Sequence, residues 1–363
     1  MKRLFTIAAV FSLGALAFGT IITTTDAQTV TSAAAKSPTP TPTPTPKPTP
    51  DIFDDSEVVK FEVELVNLDI RVIDRANRPI NNLTQNDFKI YEDGVLQQVE
   101  FFTKSQLPTN YAIVVDNSGS LRSQLEKVIE AGKILVNTNG PKDETALVRF
   151  VGRDKISIEQ PFTPNKSDLI DSLDNLYVEG GQTAIIDAVY LAVENVEEHE
   201  KSKSAANRKR RAIVLVTDGE DRDSYYNEKQ LFDLLRESET QIYVVGLITE
   251  LSKEGGFIGK SPQGKAKSFL ERMAAETGGK AYFPADASEM PKIATDIASE
   301  LRTQFSVGYI PSNDRKDGSF RNIKVVVADG PNKEKRIPIT RTGRTAEGVA
   351  PTTPKPAAVV TKP

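Results

Sequence analysis

Tyr111-Ala112-Ile113-Val114-Val115-Asp116-Asn117-Ser118-Gly119-Ser120 is the stretch that decides how this chain is read. Its unbroken apolar half has the pattern of a buried strand. Its polar half, D-x-S-x-S, puts one carboxylate and two hydroxyls on a tight loop at the strand end. All three are hard oxygen donors of the kind Mg²⁺ or Mn²⁺ prefers. Two later segments supply similar groups in similar settings. Gly180-Gly181-Gln182-Thr183 opens a helix, and Arg211-Ala212-Ile213-Val214-Leu215-Val216-Thr217-Asp218-Gly219 is a second buried strand ending in an acid. Each is weak singly. Together they make Asp116, Ser118, Ser120, Thr183 and Asp218 one candidate site. The competing explanation is that the serines merely cap the helix that follows, expected over 121–137.

Outward from this stretch the pattern alternates strand and helix, which predicts a mostly parallel, doubly wound sheet with helices on both faces. Strands are expected at 110–115, 145–151, 155–160, 211–218, 241–247 and 280–283. Helices are expected at 121–137, 166–176, 183–198, 228–237, 266–277 and 287–303. In an open sheet of this kind ligands bind beyond the carboxyl ends of the strands, where both Asp116 and Asp218 fall.

Both flanks read as β structure. Residues 61–73 alternate with a slip of phase: Phe61, Val63 and Leu65 share one face, then Val66, Leu68, Ile70 and Val72 the next. Such a slip predicts a bulge or a strand passing between two sheets. Asp74 to Pro79 is a turn. Asp87 to Gly94 reads as a strand entering an Asp-Gly hairpin, with 95–102 returning. Three more strands are expected at 304–310, 320–328 and 335–340. Neither flank has a core of its own, so the two should pair into one small β-sandwich with the α/β domain inserted between them.

The order of the three site segments resembles the von Willebrand factor A (VWA) family, whose metal-ion-dependent adhesion site joins D-x-S-x-S to a distant Thr and a distant Asp. The resemblance implies a Rossmann-like fold in which Ser118, Ser120 and Thr183 touch a divalent cation directly. Asp116 and Asp218 would act through water or by orienting those hydroxyls. Mg²⁺ is the expected ion, with Mn²⁺ or Ca²⁺ as alternatives. Held mainly by neutral hydroxyls, such an ion keeps its charge and an open position, and the natural last ligand is an Asp or Glu carboxylate of a partner protein. The resemblance also implies that the helix at 287–303 shifts as the site changes state. Glu92-Asp93-Gly94 and Gly308-Tyr309 further resemble bacterial VWA-related secreted proteins, in which an E-D-G hairpin precedes the domain and a G-Y strand follows it.

The ends and composition set the remaining expectations. With 363 residues there is room for one large or two modest domains, and a net charge of −4 implies no pull toward nucleic acid. Met1-Lys2-Arg3 and the apolar run 4–18 read as a secretory signal peptide cleaved after Ala27, or as an anchor where it stays uncleaved. Residues 37–50 are nearly pure Pro-Thr, a semi-rigid extended stalk of ~40 Å at ~3.1 Å per residue. The expected layout is a signal peptide at 1–27, a linker at 28–55, sandwich strands at 56–106, the VWA-like domain at 107–303, more sandwich strands at 304–343 and a disordered tail at 344–363. The protein should be exported, to periplasm, cell envelope or exterior. With no cysteine, it lacks disulfides, thiol catalysis and thiolate zinc sites.

Competing motifs are weaker. Residues 255–261 approach a phosphate-binding loop, but the first Gly it requires is Glu254. His199, the only histidine, reads as a solvated helix end, and there is no G-x-S-x-G elbow for a Ser-His-Asp hydrolase. The basic run from Lys201 to Arg211 lacks the aromatics of a nucleic-acid surface and reads as a solvated loop. Asp218 to Asp223 lacks the glycine and glutamate of a calcium loop but would gather negative charge near Asp218. Asp187, one turn after Thr183, would be an outer acceptor or a packing residue. The sequence thus indicates an exported, non-enzymatic, metal-dependent protein-binding module that takes no nucleotide. The alternatives are a hydrolase that uses the metal or Ser118, a structural envelope spacer, and an accessory protein of a larger assembly.

Overall fold

Val66, Leu68, Ile70 and Val72 all point inward from the first strand, and their burial fixes the phase of everything around it. The computed structural model describes residues 65–104, 107–201, 209–251 and 261–346. The signal segment, the stalk, the phosphate-loop-like glycines and most of the basic run lie outside them. Four strands precede the α/β domain: β1 (Val66–Ile73), β2 (Phe88–Glu92), β3 (Val95–Gln97) and β4 (Val99–Thr103). The domain itself runs β5 (Thr109–Asp116), α1 (Leu125–Asn137), β6 (Glu144–Phe150), β7 (Ile156–Thr163), α2 (Lys166–Asp174), α3 (Ile185–Lys201), β8 (Arg210–Thr217), α4 (Glu228–Glu237), β9 (Gln241–Gly246), α5 (Pro262–Glu276), β10 (Lys280–Tyr282) and α6 (Met290–Arg302). It is followed by β11 (Phe305–Tyr309), β12 (Phe320–Val327), β13 (Ile337–Ile339) and β14 (Gly343–Thr345).

The central sheet has the order β10-β9-β8-β5-β6-β7, parallel except for the edge strand β7, which runs antiparallel to β6. Alternate residues of β5 serve two cores. Ala112 and Val114 pack under α3, α4 and α5, whereas Tyr111, Ile113 and Val115 pack under α1, α2 and α6. Both faces are covered, which is why β5 reads as continuous apolar sequence rather than an alternation. From β5 the chain winds outward through β6 and β7, then returns to lay β8 on the other side of β5. The crevice at that reversal lies between the carboxyl ends of β5 and β8. Val115 pairs with Val216, so Asp116 ends up level with Thr217.

The flanks form two four-stranded sheets, β13-β1-β11-β4 and β14-β12-β2-β3, each drawn from both sides of the inserted domain. Their shared core joins Val66, Leu68, Ile70 and Val72 to Ile90, Phe305, Val307, Tyr309, Ile323 and Val325. Asp93 and Gly94 take φ of 48° and 82° at the expected hairpin turn.

Four expectations need correction. The returning strand of 95–102 breaks at Gln98: β3 stays beside β2, while β4 crosses to pair with β11. The buried Gln97 amide fixes the break by donating to the Val95 carbonyl and the Ser312 hydroxyl, both at 3.0 Å. A passage between sheets thus falls here, whereas β1 stays in one sheet throughout; residues 61–64, where the phase slip begins, lie outside the described residues. The helix expected from 121 starts at Leu125, after a 3₁₀ turn over Gly119–Leu121. The tail is ordered past its expected start, because Gly343–Thr345 pairs with β12; residues 347–363 lie outside the described residues. Finally, the end of the basic run is not a solvated loop. Arg210 is buried, and Arg211 pairs with both Glu197 and Glu239.

Arg210 ties the domain to the sandwich. Its guanidinium donates to the Leu301 and Gln304 carbonyls at 3.1 and 2.8 Å and to the Ser306 hydroxyl at 3.1 Å, and it pairs with Asp69 at 3.1 Å. Arg71 of β1 reaches Glu300 beside it. The last turn of α6 is therefore held by side chains from β1 and β8.

Candidate functional site

Asp116 ends β5 fully buried, and both its carboxylate oxygens are occupied. The Ser118 backbone N–H donates to Oδ1 at 2.9 Å, and the Thr217 hydroxyl donates to Oδ2 at 2.8 Å. The first bond curls the loop back over the strand end, and the second locks β5 to β8. Asn117 holds the other side of the loop: its side-chain amide donates to the Tyr177 carbonyl at 2.6 Å, and its own carbonyl accepts from the Glu179 N–H at 2.8 Å.

On this frame the Ser118 and Ser120 hydroxyls lie 2.9 Å apart, and the Ser120 hydroxyl donates to Asp218 Oδ2 at 2.7 Å. The other oxygen of Asp218 accepts from the Glu220 N–H at 3.1 Å. Gly219, at φ +84°, lets the chain turn away at once; a Cβ there would sit 2.9 Å from Leu270. Ser118 occupies the N-cap position of the 3₁₀ turn, yet its hydroxyl makes no cap hydrogen bond. That removes helix capping as the reason for the serine.

Thr183 comes from a third element. It precedes α3 rather than starting it, and its carbonyl accepts from the Arg222 and Asp223 N–H groups at 2.8 and 3.1 Å. Gly181 allows the approach, since a Cβ would fall 2.6 Å from a Val151 methyl. Ser118, Ser120, Thr183 and Asp218 then face one cleft of about 330 Å³, with Asp116 behind them. Glu220 and Arg222 line the same cleft, and Leu121, Leu247 and Leu251 give it an apolar wall.

The structure thus brings all five sequence-selected residues together at the switch point of the sheet. It also shows support that sequence reasoning passed over. Thr217 and Asn117 orient the loop, though only their adjacency to Asp218 and Asp116 pointed to them. Other expectations change. Asp221 and Asp223 do not pool charge around Asp218. Asp221 accepts from the Ile186 N–H at 3.0 Å, and Asp223 pairs with Arg153 at 2.7 Å. Asp187 accepts the Tyr225 and Tyr226 N–H groups at 2.8 and 2.9 Å, which fixes the loop after Asp218. His199 is half-buried, stacked on Phe162 with ring centroids 4.2 Å apart, and 2.9 Å from Glu144.

The electrostatics suit a cation. Asp116 and Asp218 have no ion-pair partner among the described residues. Burial, reinforced by the neighbouring Asp218 charge, pushes the Asp116 carboxyl up to about 6. Two close carboxylates without a counter-charge, fronted by three hydroxyls, form a hard-oxygen donor set that fits a divalent cation. Among the described residues no group of three or more His, Cys, Asp or Glu is placed to hold a metal, so the hydroxyls would have to supply most of the donors here.

Comparison with known proteins gives the same outline. The pattern of the von Willebrand factor type A domain matches residues 110–296. Mouse inter alpha-trypsin inhibitor heavy chain 4 is 27% identical over 225 residues, 58% of this chain and 22% of that one. An uncharacterized Synechocystis protein is 33% identical over 116 residues, 32% of this chain and 26% of that one. The chain therefore spans about a quarter of the length of these curated relatives. Among solved structures, proximal thread matrix protein 1 of the mussel byssus, with its adhesion-site motif occupied by zinc, is 21% identical at a TM-score of 0.40, covering 58% of this chain and 49% of that one.

Proposed function

The chain belongs to the von Willebrand factor type A domain family, whose members are generally protein-interaction modules, and from that premise we propose that it is an exported, metal-dependent protein-binding module of the adhesion type. Ser118, Ser120 and Thr183 would hold a divalent cation, Mg²⁺ before Mn²⁺ or Ca²⁺. Asp116 and Asp218 would orient the hydroxyls and balance the charge. The cation would supply an open position for an Asp or Glu carboxylate of a partner protein. The observation that carries this reading is the continuous line of hydroxyls ending on Asp218, none of it spent on helix capping, in front of a buried carboxylate at the switch point. The non-catalytic reading rests on the described lining of the cleft, where the Ser118 and Ser120 hydroxyls engage each other and Asp218 and no histidine or lysine stands beside them.

The Met1-Lys2-Arg3 start and the apolar run behind it support export to the periplasm, envelope or exterior. The inserted layout supports a VWA unit at 107–303 carried on the sandwich. No helix among the described residues is long and apolar enough to cross a membrane.

The test is thermal melting and calorimetric titration of the full chain with Mg²⁺, Mn²⁺ and Ca²⁺, beside Asp116→Ala and Ser120→Ala. A cation that binds only the folded state raises the melting temperature with its concentration. Saturable stabilisation lost in both variants is the expected result. A wild-type protein indifferent to all three ions would overturn the reading.

A further inference from the structure

The cleft holds one more charged pair than a cation site uses. Arg222 lines it beside Thr183 and Ser120, and its side chain is 60% exposed. Its partner is Glu220, two residues back in the same loop and itself on the cleft wall. An exposed pair so close in sequence contributes little to stability, typically about 0–1 kcal/mol, so it is readily exchanged for a ligand.

The backbone beneath Arg222 is not free to drift. Its N–H donates to the carbonyl of Thr183 at 2.8 Å, and the Asp223 N–H donates to the same oxygen at 3.1 Å. Asp221 accepts from the Ile186 N–H at 3.0 Å, and Asp187 accepts from Tyr225 and Tyr226. The loop that carries Arg222 is thus stitched to the start of α3, the segment that presents Thr183. An exposed guanidinium thus rises from a fixed base beside the hydroxyls. With about 330 Å³, the cleft has room for more than one carboxylate, and its leucine wall suits the aliphatic stems of acidic side chains.

Charge points to the ligand. A dication would offset Asp116 and Asp218, and Glu220 already offsets Arg222. A ligand bringing one acid would meet the cation alone. A ligand bringing two would meet the cation with one and displace Glu220 from Arg222 with the other, which forms a charge-assisted pair suited to the planar guanidinium. We propose that this cleft selects a diacidic peptide, with one carboxylate for the cation and a second, from a neighbouring Asp or Glu, for Arg222. The inference rests on the carboxylate-capture reading above and adds the partner's chemistry.

The test is calorimetric titration of the full chain in saturating Mg²⁺ with two capped peptides, Gly-Gly-Asp-Gly-Gly and Gly-Gly-Asp-Glu-Gly. The diacid should bind up to about fivefold more tightly, the upper worth of one exposed charge pair formed as Glu220 is displaced. Arg222→Gln should bring the two peptides level while retaining the Mg²⁺-induced rise in melting temperature. Glu220→Gln, which frees the guanidinium, should widen the gap. Equal affinities on the wild type, or a preference that survives Arg222→Gln, would overturn the proposal and leave metal-dependent capture standing. If neither peptide binds in Mg²⁺, or both bind equally in chelator, the capture reading fails and this inference with it.

Discussion

Replacing Asp116 by Asn should make the metal-free protein more stable at neutral pH while destroying its response to metal. The carboxyl lies fully buried and its folded value is raised from 3.8 to about 6. A gap of ~2 pH units corresponds to ~3 kcal/mol. The sign follows from the direction of the shift. Below pH 3.8 both the folded and the unfolded chain carry the proton, and the group contributes nothing. Between 3.8 and 6 only the folded state holds it, so stability falls as pH rises. Above 6 the full penalty of keeping a buried anion is present. Asn keeps the acceptor for the Ser118 N–H but turns a donor toward Thr217, whose hydroxyl must find another acceptor, offsetting ~1 kcal/mol of the gain. The net expectation in chelator is a stabilisation of ~1–2 kcal/mol at pH 7.5 that vanishes at pH ~4.5 and reverses below it, where only the Thr217 cost remains, read by urea unfolding of the full chain. Saturating Mg²⁺ should reverse the order, because a ligand at a hundred times its Kd adds ~2.7 kcal/mol to the wild type alone. An Asn variant less stable than the wild type in chelator at pH 7.5, or a difference independent of pH, would refute the claim that Asp116 is an uncompensated buried charge.

Three other outcomes follow from the geometry. Ser118→Ala should change stability in chelator by less than ~1 kcal/mol, because no backbone bond depends on its hydroxyl, yet abolish the metal-induced rise in melting temperature. Ending the chain at Gly343, or Arg344→Met, should cost ~3–5 kcal/mol by urea unfolding: Arg344 pairs with Glu92 at 3.0 Å with both side chains buried, and Tyr309 donates to the same carboxylate at 2.5 Å. Gly181→Ala should weaken metal binding in calorimetry several-fold with little change in the core, since its Cβ would push the Thr183 loop off Val151.

The α/β domain was legible because its central strands β5, β8 and β9 are mostly apolar, β5 ending in and β8 running into an acid, and its helices alternate with them in sequence. β5 and β8 differ from expectation by one residue at each end, and β9 by one at its last. The site was legible because its residues carry chemistry at positions the alternation had already assigned to strand ends. What stayed hidden depends on partners distant in sequence. Gln98 as a sheet crossing, Arg344 as the counter-charge of Glu92 and Arg210 as the clamp on α6 each depend on a residue many positions away. A single sequence carries no periodic signal for any of them. Arg210 was hidden further by its neighbours, because a run of lysines and arginines looks solvated unless one of them is known to be buried.

Arg210 also bears on whether the cleft and the sandwich communicate. It opens β8, whereas Asp218 follows the last residue of the same strand, so ~3.3 Å per residue over eight residues separates junction from cleft by ~25 Å. A partner seated at the cleft meets the carboxyl end of β5 and β8, whereas Arg210 meets the sandwich junction at the amino end of β8. Arg210→Met removes donors from the Leu301 and Gln304 carbonyls and leaves Asp69 with the Ser306 hydroxyl in place of a counter-charge, which should cost ~3 kcal/mol in urea unfolding. Across that distance, with no shared contact, the Mg²⁺ affinity of the folded fraction should stay within about twofold. A larger change would mean that the last turn of α6, which Arg210 and Arg71 both hold, reports the state of the cleft to the sandwich. In that case the sandwich would be part of the binding mechanism rather than its mount.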